Sequence, residues 1–299
     1  MSPRARLVAG AVTYPGGEPA GLEGQPEGMC LTCQAVPAGD LELAVREAQT
    51  AAEIEPRVFP VRVHKIDHLA HDVIRLYLKL PESQRMQFLA GQYLDFLLAD
   101  GKRRAFSIAN APHDDDFIEL HIRHVDGGKF TDWAFTQMRE KAILRINGPL
   151  GTFTLDEESP RPMLFVGGGT GFAPLKGQIE HAWYRGVARP MTLYWGVRSR
   201  RDLYLPDLPR TWAAEHANFG FVPVLSEPDA DWPGRRGWVH EAVVQDRPDL
   251  SGHDVYMAGP PPMIVAARAA FLAAGLPPAQ LFYDSFEYAA KQDAAPAAG

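Results

Sequence analysis

Five consecutive residues, Gly167-Gly168-Gly169-Thr170-Gly171, follow a short apolar run and precede a stretch of helix length. Glycine has no side chain, so a phosphate group can approach the backbone, and the unpaired N–H groups of a helix start favour negative charge. The residue order fits neither GxGxxG nor a P-loop, because no Gly-Lys-Ser/Thr follows. The segment therefore predicts either a diphosphate-binding loop or a tight structural turn.

A second turn, Ala258-Gly259-Pro260-Pro261-Pro262-Met263, follows another apolar run, Asp254–Met257. In an open α/β sheet, ligands bind beyond the carboxyl ends of the strands, and we expect both turns at that edge. The prolines are also what the first turn of a helix favours. Two such turns on one sheet favour a nucleotide ligand.

A third set, Arg104-Ala105-Phe106-Ser107, puts a guanidinium, an aromatic ring and a hydroxyl on one short strand. Strand alternation places Arg104 and Phe106 on one face and Ser107 on the other. These groups bind phosphate, stack on a flat ring and hydrogen-bond a ring nitrogen, although a solvated arginine beside a core phenylalanine is the alternative. Gly127-Gly128-Lys129-Phe130-Thr131 precedes a predicted helix and is a second candidate anion site.

Two regions that differ in their pattern of apolar and polar residues must position these side chains. From about residue 57 to 153, short alternating strands separated by turn residues indicate an antiparallel sandwich or barrel, interrupted by one predicted helix at 129–138. The predicted strands are VRVHKID, VIRLYLKL, YLDFLL, AFSIAN, FIELHIRHV and AILRING.

After Ser159-Pro160-Arg161-Pro162, short apolar strands alternate with helical segments at 172–185 and 261–274, which predicts a five-stranded parallel α/β sheet. The predicted strands are MLFV (163–166), MTLYW (191–195), FVPVL (221–225), DVYM (254–257) and LFY (281–283). We expect the Ala- and Pro-rich tail, residues 289–299, to be disordered.

The charge, apolar content and cysteine count of the chain argue against several classes of function. A net charge of −7 offers no basic face for a phosphate backbone, so nucleic acid is not an expected partner. No apolar run approaches the roughly 18–20 residues of a membrane span. Two cysteines, Cys30 and Cys33, are too few for a disulfide framework and favour a reducing, cytoplasmic compartment.

Taken in this order, the motifs resemble the ferredoxin reductase-like flavoprotein family over about residues 57–288. The resemblance includes Phe88-Leu89-Ala90-Gly91-Gln92-Tyr93 as the usual F-x-x-G-Q-[YF] turn. It implies an antiparallel Greek-key β-barrel at 55–156 that binds FAD, followed by an α/β domain at 160–288 that binds NADH or NADPH. Where this family often has cysteine, the chain has Ala258, which implies intact nucleotide binding and slower hydride transfer.

The resemblance also implies residue roles. Arg104 would hold the flavin phosphates, Phe106 would pack along the flavin, and Ser107 would hydrogen-bond near N5. Thr170 would sit near the nicotinamide, so that Ser107 and Thr170 are the catalytic candidates, and Phe286-Glu287-Tyr288 would lie close to the isoalloxazine. The full predicted cofactor-binding set is Arg104, Ala105, Phe106, Ser107, His121, Arg123, Gly127, Gly128, Lys129, Phe130, Thr131, Gly168, Gly169, Thr170, Gly171, Arg198, Ser199, Gly259, Pro260, Pro261, Met263 and Phe286.

The first fifty residues resemble the closing part of a plant-type [2Fe–2S] domain, with Cys33 at the position of its fourth ligand. Such a cluster needs four thiolates, and no C-x4-C-x2-C run exists here. We therefore interpret residues 1–50 as a remnant, with a cluster expected only if the chain extends upstream. We predict no metal site, because a zinc or thioredoxin-type Cys pair lacks its context and His64, His68 and His71 fit solvated surface.

The sequence thus predicts an NAD(P)H-dependent FAD reductase that passes electrons to a separate acceptor, either an oxygenase component, a ferredoxin or a deoxysugar-forming enzyme. Two alternatives stay open: a free-flavin or metal-chelate reductase, and a catalytically silent flavin- or nucleotide-binding module. The nicotinamide preference is also open, because Arg198, Ser199, Arg200 and Arg201 fit either a 2′-phosphate site or a solvated loop.

Overall fold

A computed structural model describes residues 4–15, 17, 28–31, 35–44 and 54–286. The chain divides into two compact units, Met1–Gln49 and Thr50–Gly299. The predicted vestigial ligand Cys33, the motif residues Glu287 and Tyr288, and the predicted tail lie outside the described residues.

The first unit is built from short strands. Three of them form an antiparallel sheet in the order β3-β1-β5, and two more pair as β2-β4. Cys30 lies on β3 and is buried. The strands are β1 Arg4–Ala9, β2 Val12–Thr13, β3 Met29–Leu31, β4 Val36–Pro37 and β5 Glu42–Ala44.

The second unit begins with a six-stranded antiparallel barrel in the order β10-β7-β6-β11-β8-β9. Ala109 N–H donates to the Glu119 carbonyl at 2.8 Å, and Ile108 bridges Leu120, which brings the two edges of the sheet together. Alternate residues point inward, as the burial pattern of β7 demonstrates. The elements are β6 Arg57–Ala70, β7 Val73–Lys79, β8 Tyr93–Leu97, β9 Arg103–Ser107, β10 Ile118–Arg123, α1 Lys129–Thr136 and β11 Ile143–Leu150.

A parallel sheet follows in the same unit, in the order β15-β14-β13-β12-β16-β17. Central strands β12 and β16 are buried on both faces, as their continuous apolar sequences require. No helix in the described part of the chain has the length and hydropathy that a membrane span requires. The elements are β12 Met163–Gly168, α2 Phe172–Tyr184, β13 Met191–Val197, α3 Asp207–Glu215, β14 Phe219–Leu225, β15 Arg235–Arg236, α4 Val239–Asp246, β16 Asp254–Gly259, α5 Pro261–Ala273 and β17 Leu281–Ser285.

Helix α2 lies between the parallel sheet and the barrel. Phe172 and Leu175 pack in the core on one face of the sheet. On the barrel side, a Cβ added to Gly177 would lie 2.8 Å from the Asn110 carbonyl oxygen, and Gln178 Nε2 donates to the Phe153 carbonyl at 3.0 Å. Glycine in mid-helix costs about 1 kcal/mol relative to alanine. Here it permits close packing of α2 against the barrel backbone.

The predicted fold class is confirmed, with some differences in its elements. The sheet has a sixth strand, β15, which is only two residues long and was not predicted. Helices α3 and α4 were missed, and the first helix ends at Thr136 rather than at 138. Each missed helix buries only two or three side chains, so its apolar periodicity is weak.

A buried ion pair within the α/β region provides a stability test. Arg189 Nη1 donates to Asp254 Oδ2 at 2.8 Å, and both side chains are buried. Asp254→Ala leaves the guanidinium without its counter-charge and should lower the free energy of unfolding by about 3–5 kcal/mol. Urea denaturation followed by circular dichroism measures this. Asp207→Ala, which breaks the exposed pair with Arg210, should cost less than about 1 kcal/mol, and equal losses would contradict the prediction.

Candidate functional site

The predicted glycine loop forms a single turn of 3₁₀ helix, Gly169–Gly171, between β12 and α2. Gly169 has φ +55°, a conformation that favours glycine. Trp195 Nε1 donates to the Gly169 carbonyl at 2.9 Å and fixes the loop against β13. Thr170 is the half-exposed residue of the loop, while the neighbouring glycines are buried.

The second predicted turn packs directly against this loop. A Cβ on Gly171 would overlap the carbonyl oxygen of Ala258, and one on Gly168 would lie 3.0 Å from Pro260 Cδ and also clash with Met263. The two turns therefore lie together at the carboxyl edge of the sheet, as the sequence predicted. Their backbones touch because both carry glycine at the points of contact.

Two contacts join the barrel to this edge. A Cβ on Gly169 would lie 2.6 Å from Arg123 Nη1, so the guanidinium on β10 rests on the loop. Arg123 Nε also donates to Asp72 Oδ2 at 2.8 Å. At the end of β9, Ser107 Oγ donates to Asp284 Oδ2 at 3.3 Å. The barrel and the carboxyl edge of the sheet thus meet at these two contacts, and we refer to the junction between them as the cleft.

Asp284 is a cleft residue that the sequence analysis missed. It lies on β17, and burial raises the pKa of its carboxyl while the hydrogen bond from Ser107 opposes this only in part. Tyr93 pairs with Ser107 in the register of β8 and β9, and burial together with the charges of Asp95 and Asp284 raises its pKa. A carboxyl at the carboxyl end of the last predicted strand was a signal that could have identified Asp284.

The predicted flavin residues on β9 lie where strand alternation puts them. Arg104 is half-buried and donates to the Arg103 carbonyl at 2.8 Å, which leaves further N–H donors for a phosphate. Phe106 packs 5.7 Å from Phe96 and 5.5 Å from Phe130, measured between ring centroids. Ala105 is exposed. Phe106 therefore belongs partly to the barrel core, the alternative that the sequence left open.

The turn before α1 differs from a simple anion site. Gly127 and Lys129 are exposed and Gly128 caps the helix, but the Thr131 hydroxyl donates back to the carbonyls of Val125 and Gly128. The Thr131 hydroxyl thus stabilises the turn itself. The donors that the turn offers to an anion are the backbone N–H groups of the first helical turn.

His121 does not present its ring to the cleft. Its Nδ1 lies 2.9 Å from the Tyr204 hydroxyl and its Nε2 lies 2.8 Å from Glu119 Oε1, all in buried surroundings. The side chain that sequence analysis assigned to cofactor binding is thus occupied by protein partners.

Two remaining groups lie along the sheet edge on either side of the glycine loop. Phe286 packs partly buried against the core, and its N–H donates to the Gly259 carbonyl at 3.0 Å, while Pro261 opens α5. Beyond β13, a cleft of about 570 Å³ is lined by arginines and carboxylates. The lining residues are Arg198, Ser199, Arg200, Arg201, Asp202, Glu227 and Asp229.

These residues fit a dinucleotide and a flavin. A diphosphate needs backbone that it can approach closely and nearby positive charge, and the loop provides this with Arg123 against Gly169 and a half-exposed Thr170. A flavin needs an anchoring cation and a hydroxyl near its ring, and Arg104 and Ser107 lie on one strand leading into the cleft.

Known proteins similar to this chain also bind FAD and NAD, as the names of the matching domain families state. Residues 60–155 match the oxidoreductase FAD-binding domain family, and residues 165–269 match the oxidoreductase NAD-binding domain family. Over 260 residues the chain is 40% identical to CDP-6-deoxy-L-threo-D-glycero-4-hexulose-3-dehydrase reductase of Yersinia pestis, covering 87% of this chain and 78% of the relative.

Two further relatives serve oxygenases according to their names. The ferredoxin–NAD(P)(+) reductase component of the naphthalene 1,2-dioxygenase system of Pseudomonas putida is 32% identical, covering 95% of this chain and 85% of the relative. The crystal structure of the Amycolatopsis cytochrome P450 reductase GcoB superposes with a TM-score of 0.75 at 34% identity, covering 95% and 87% of the two chains.

The contact between the two turns can be tested with Gly171→Ala. Because the new methyl would overlap the Ala258 carbonyl, the loop must shift, and we expect NAD(P)H affinity to fall by about tenfold, equivalent to about 1.4 kcal/mol. Titration of the dinucleotide by calorimetry measures this. Gly252→Ala is the matched control, since a Cβ there has no atom within 4 Å among the described residues. Equal affinities for wild type and Gly171→Ala would contradict the prediction.

The raised pKa of Asp284 predicts a pH-dependent stability effect. A carboxyl whose pKa is higher in the folded than in the unfolded state destabilises the fold as pH rises above the unfolded value of 3.8, and this cost is complete above the folded pKa. Asp284→Asn should therefore raise the melting temperature at pH 7.5 by a few degrees. The difference should shrink towards pH 4, and a constant difference across this range would refute the assignment.

Proposed function

We propose, from the premise that this chain belongs to the ferredoxin reductase-like family of FAD- and NAD-binding oxidoreductases, that it is the reductase component of a multi-protein electron-transfer system. It takes electrons from NAD(P)H through FAD and delivers them to a separate acceptor protein. The observation that carries the proposal is the common cleft, in which Arg123 meets Gly169 and Ser107 meets Asp284.

Within this proposal the barrel, residues 55–156, holds the flavin and residues 160–288 hold the nicotinamide dinucleotide. Arg104 binds the flavin phosphates, and Ser107 and Asp284 lie beside the reactive edge of its ring. The loop Gly168–Gly171, with Thr170 facing outward, and the turn Gly259–Met263 hold the dinucleotide.

Bound FAD supplies the ability to accept a hydride and to release electrons singly. The residues of this chain position the two rings and form a surface that is shielded from water. Gly171 and Ala258 bring the two turns into contact, and the Ser107 hydroxyl is held by the Asp284 carboxyl, whose raised pKa keeps a proton available at that carboxyl to a higher pH than usual. Such an arrangement orients two flat rings and limits water between them.

The acceptor class follows from the relatives. Their names describe a hexulose dehydrase reductase, the ferredoxin–NAD(P)(+) reductase component of a dioxygenase system and a cytochrome P450 reductase. They support an acceptor protein that is an oxygenase component, a ferredoxin or a deoxysugar-forming enzyme. With two cysteines in 299 residues, we propose the cytoplasm as its compartment.

Anaerobic mixing of the yellow holoprotein with NADH or NADPH tests the redox function. Bleaching of the flavin absorbance, followed by ferricyanide turnover, is the expected result, and the two coenzymes give the preference. Failure of both to bleach the flavin would refute the proposal. Saturable turnover of added free flavin, with no tightly bound FAD, would instead indicate a free-flavin reductase.

Replacement of Arg104 tests the assignment of the flavin site. Arg104→Ala removes a charge-assisted contact worth about 1.5–3 kcal/mol, so FAD affinity should fall by roughly 10- to 100-fold. Fluorescence titration of the flavin-free protein measures the change. Arg103→Ala is the control, because Arg103 is the exposed neighbour that pairs with Asp95. Comparable FAD loss in both variants would contradict the role given to Arg104.

A further inference from the structure

A chain of buried polar side chains crosses between the barrel and helix α2, and the proposed redox chemistry does not use it. Lys176 Nζ donates to Glu119 Oε2 at 3.1 Å and to Glu180 Oε2 at 3.0 Å. Glu119 Oε1 lies 2.8 Å from His121 Nε2, and His121 Nδ1 lies 2.9 Å from the Tyr204 hydroxyl. Glu119, His121 and Lys176 are 6%, 4% and 7% exposed and are shielded from water, whereas Glu180 at the end of the chain is partly exposed.

The protonation states follow from the surroundings. Burial alone would raise the pKa of Glu119, but hydrogen bonds and charge from His121 and Lys176 outweigh it and hold the pKa at about 2. Burial lowers the pKa of His121, and burial raises that of Tyr204 well above its usual value. Both ring nitrogens of His121 are thus engaged, Nε2 with the Glu119 carboxylate and Nδ1 with the Tyr204 hydroxyl.

Lys176 also ties the helix to the barrel backbone. Its ammonium donates to the Ala109 carbonyl at 3.3 Å, in addition to Glu119 on β10. Lys176 lies just over one turn beyond the start of α2, and α2 begins where the loop Gly169–Gly171 ends. Lys176 and the dinucleotide loop thus belong to one continuous segment of the chain.

The presence of a buried ion pair of this type does not by itself indicate that the pair stabilises the folded state. Removing two charges from water costs several kcal/mol each, and well-packed apolar side chains often replace such pairs without loss. The ion pair instead supplies directional hydrogen bonds. An ammonium with three acceptors fixes the distance and the angle between α2 and the barrel, which an apolar contact would leave free. Hydride transfer is sensitive to this, since a displacement of about 1 Å costs on the order of 100-fold in rate.

We propose that Lys176 is a positioning residue that, through its bonds to Glu119 and Ala109, sets the spacing between the dinucleotide loop and the flavin-binding barrel. This inference rests on the proposed function. Lys176 does not itself meet the reacting atoms, and it acts through the helix that carries the loop.

Stopped-flow reduction of the full-length holoprotein tests the proposal. In Lys176→Met we expect the limiting rate of flavin reduction at saturating coenzyme to fall by about 10- to 100-fold, with the coenzyme dissociation constant changed less than about threefold. Arg189→Met is the matched control, because the Arg189–Asp254 pair is equally buried but lies wholly inside the α/β region. It should lower the melting temperature and leave the rate constant unchanged at 20 °C.

A second readout needs no bound flavin. In the flavin-free protein, amide hydrogen exchange should speed up in Lys176→Met at the loop Gly167–Gly171 and at the Ala109 segment, and Arg189→Met should not change these amides. Glu119→Gln keeps hydrogen-bonding capacity without the charge and should give an intermediate rate loss. If Lys176→Met fails to fold, the flavin reduction rate of Glu119→Gln tests the proposal in its place.

Several results would overturn the proposal. A reduction rate in Lys176→Met or Glu119→Gln equal to wild type would do so, as would a loss that Arg189→Met reproduces, which indicates a purely stabilising pair. Unchanged exchange at Gly167–Gly171 would also overturn it. Failure of the proposed function is distinguishable, because then the wild-type flavin itself is not reduced by either coenzyme.

Discussion

The packing of helix α2 between the parallel sheet and the barrel constrains the rest of the structure. Every residue from Phe172 to Ile179 is buried, so the helix has no solvated face over its first two turns. Its N-terminal end therefore has one position relative to both layers, and the loop Gly169–Gly171 is fixed with it. Lys176 and Gln178 bond α2 to the barrel, and β9 and β10 meet the sheet edge beside the start of this helix.

The sequence predicted the parts of this arrangement that depend on backbone. Alternation and apolar runs gave the barrel strands and five strands of the parallel sheet, and the glycines at 167–171 and 259 gave the two turns that touch. Helices α3 and α4 escaped prediction because few of their side chains are buried. Strand β15 escaped because two arginines carry no strand signal.

Side-chain partnerships were less predictable, since they join residues far apart in the chain. Lys176 is 57 residues from Glu119, and Ser107 is 177 residues from Asp284. No local pattern encodes such pairs. His121 illustrates the limit: its place on β10 was predicted, yet tertiary contacts with Glu119 and Tyr204 decide what its ring does.

The distribution of charge along the sheet edge gives the two ends different properties. Near the barrel, charged groups are buried and bonded at fixed distances, as Lys176 and Glu119 are, and salt screens them little. At the arginine cleft beyond β13, Arg200 is about half exposed and lies over Trp232 and near Asp231, where water and salt weaken its interactions. Asp202, which lines the same cleft, is nevertheless buried, and its Oδ1 lies 3.7 Å from Nε2 of His71 in the barrel, so the cleft of exposed arginines borders the barrel and its buried charges.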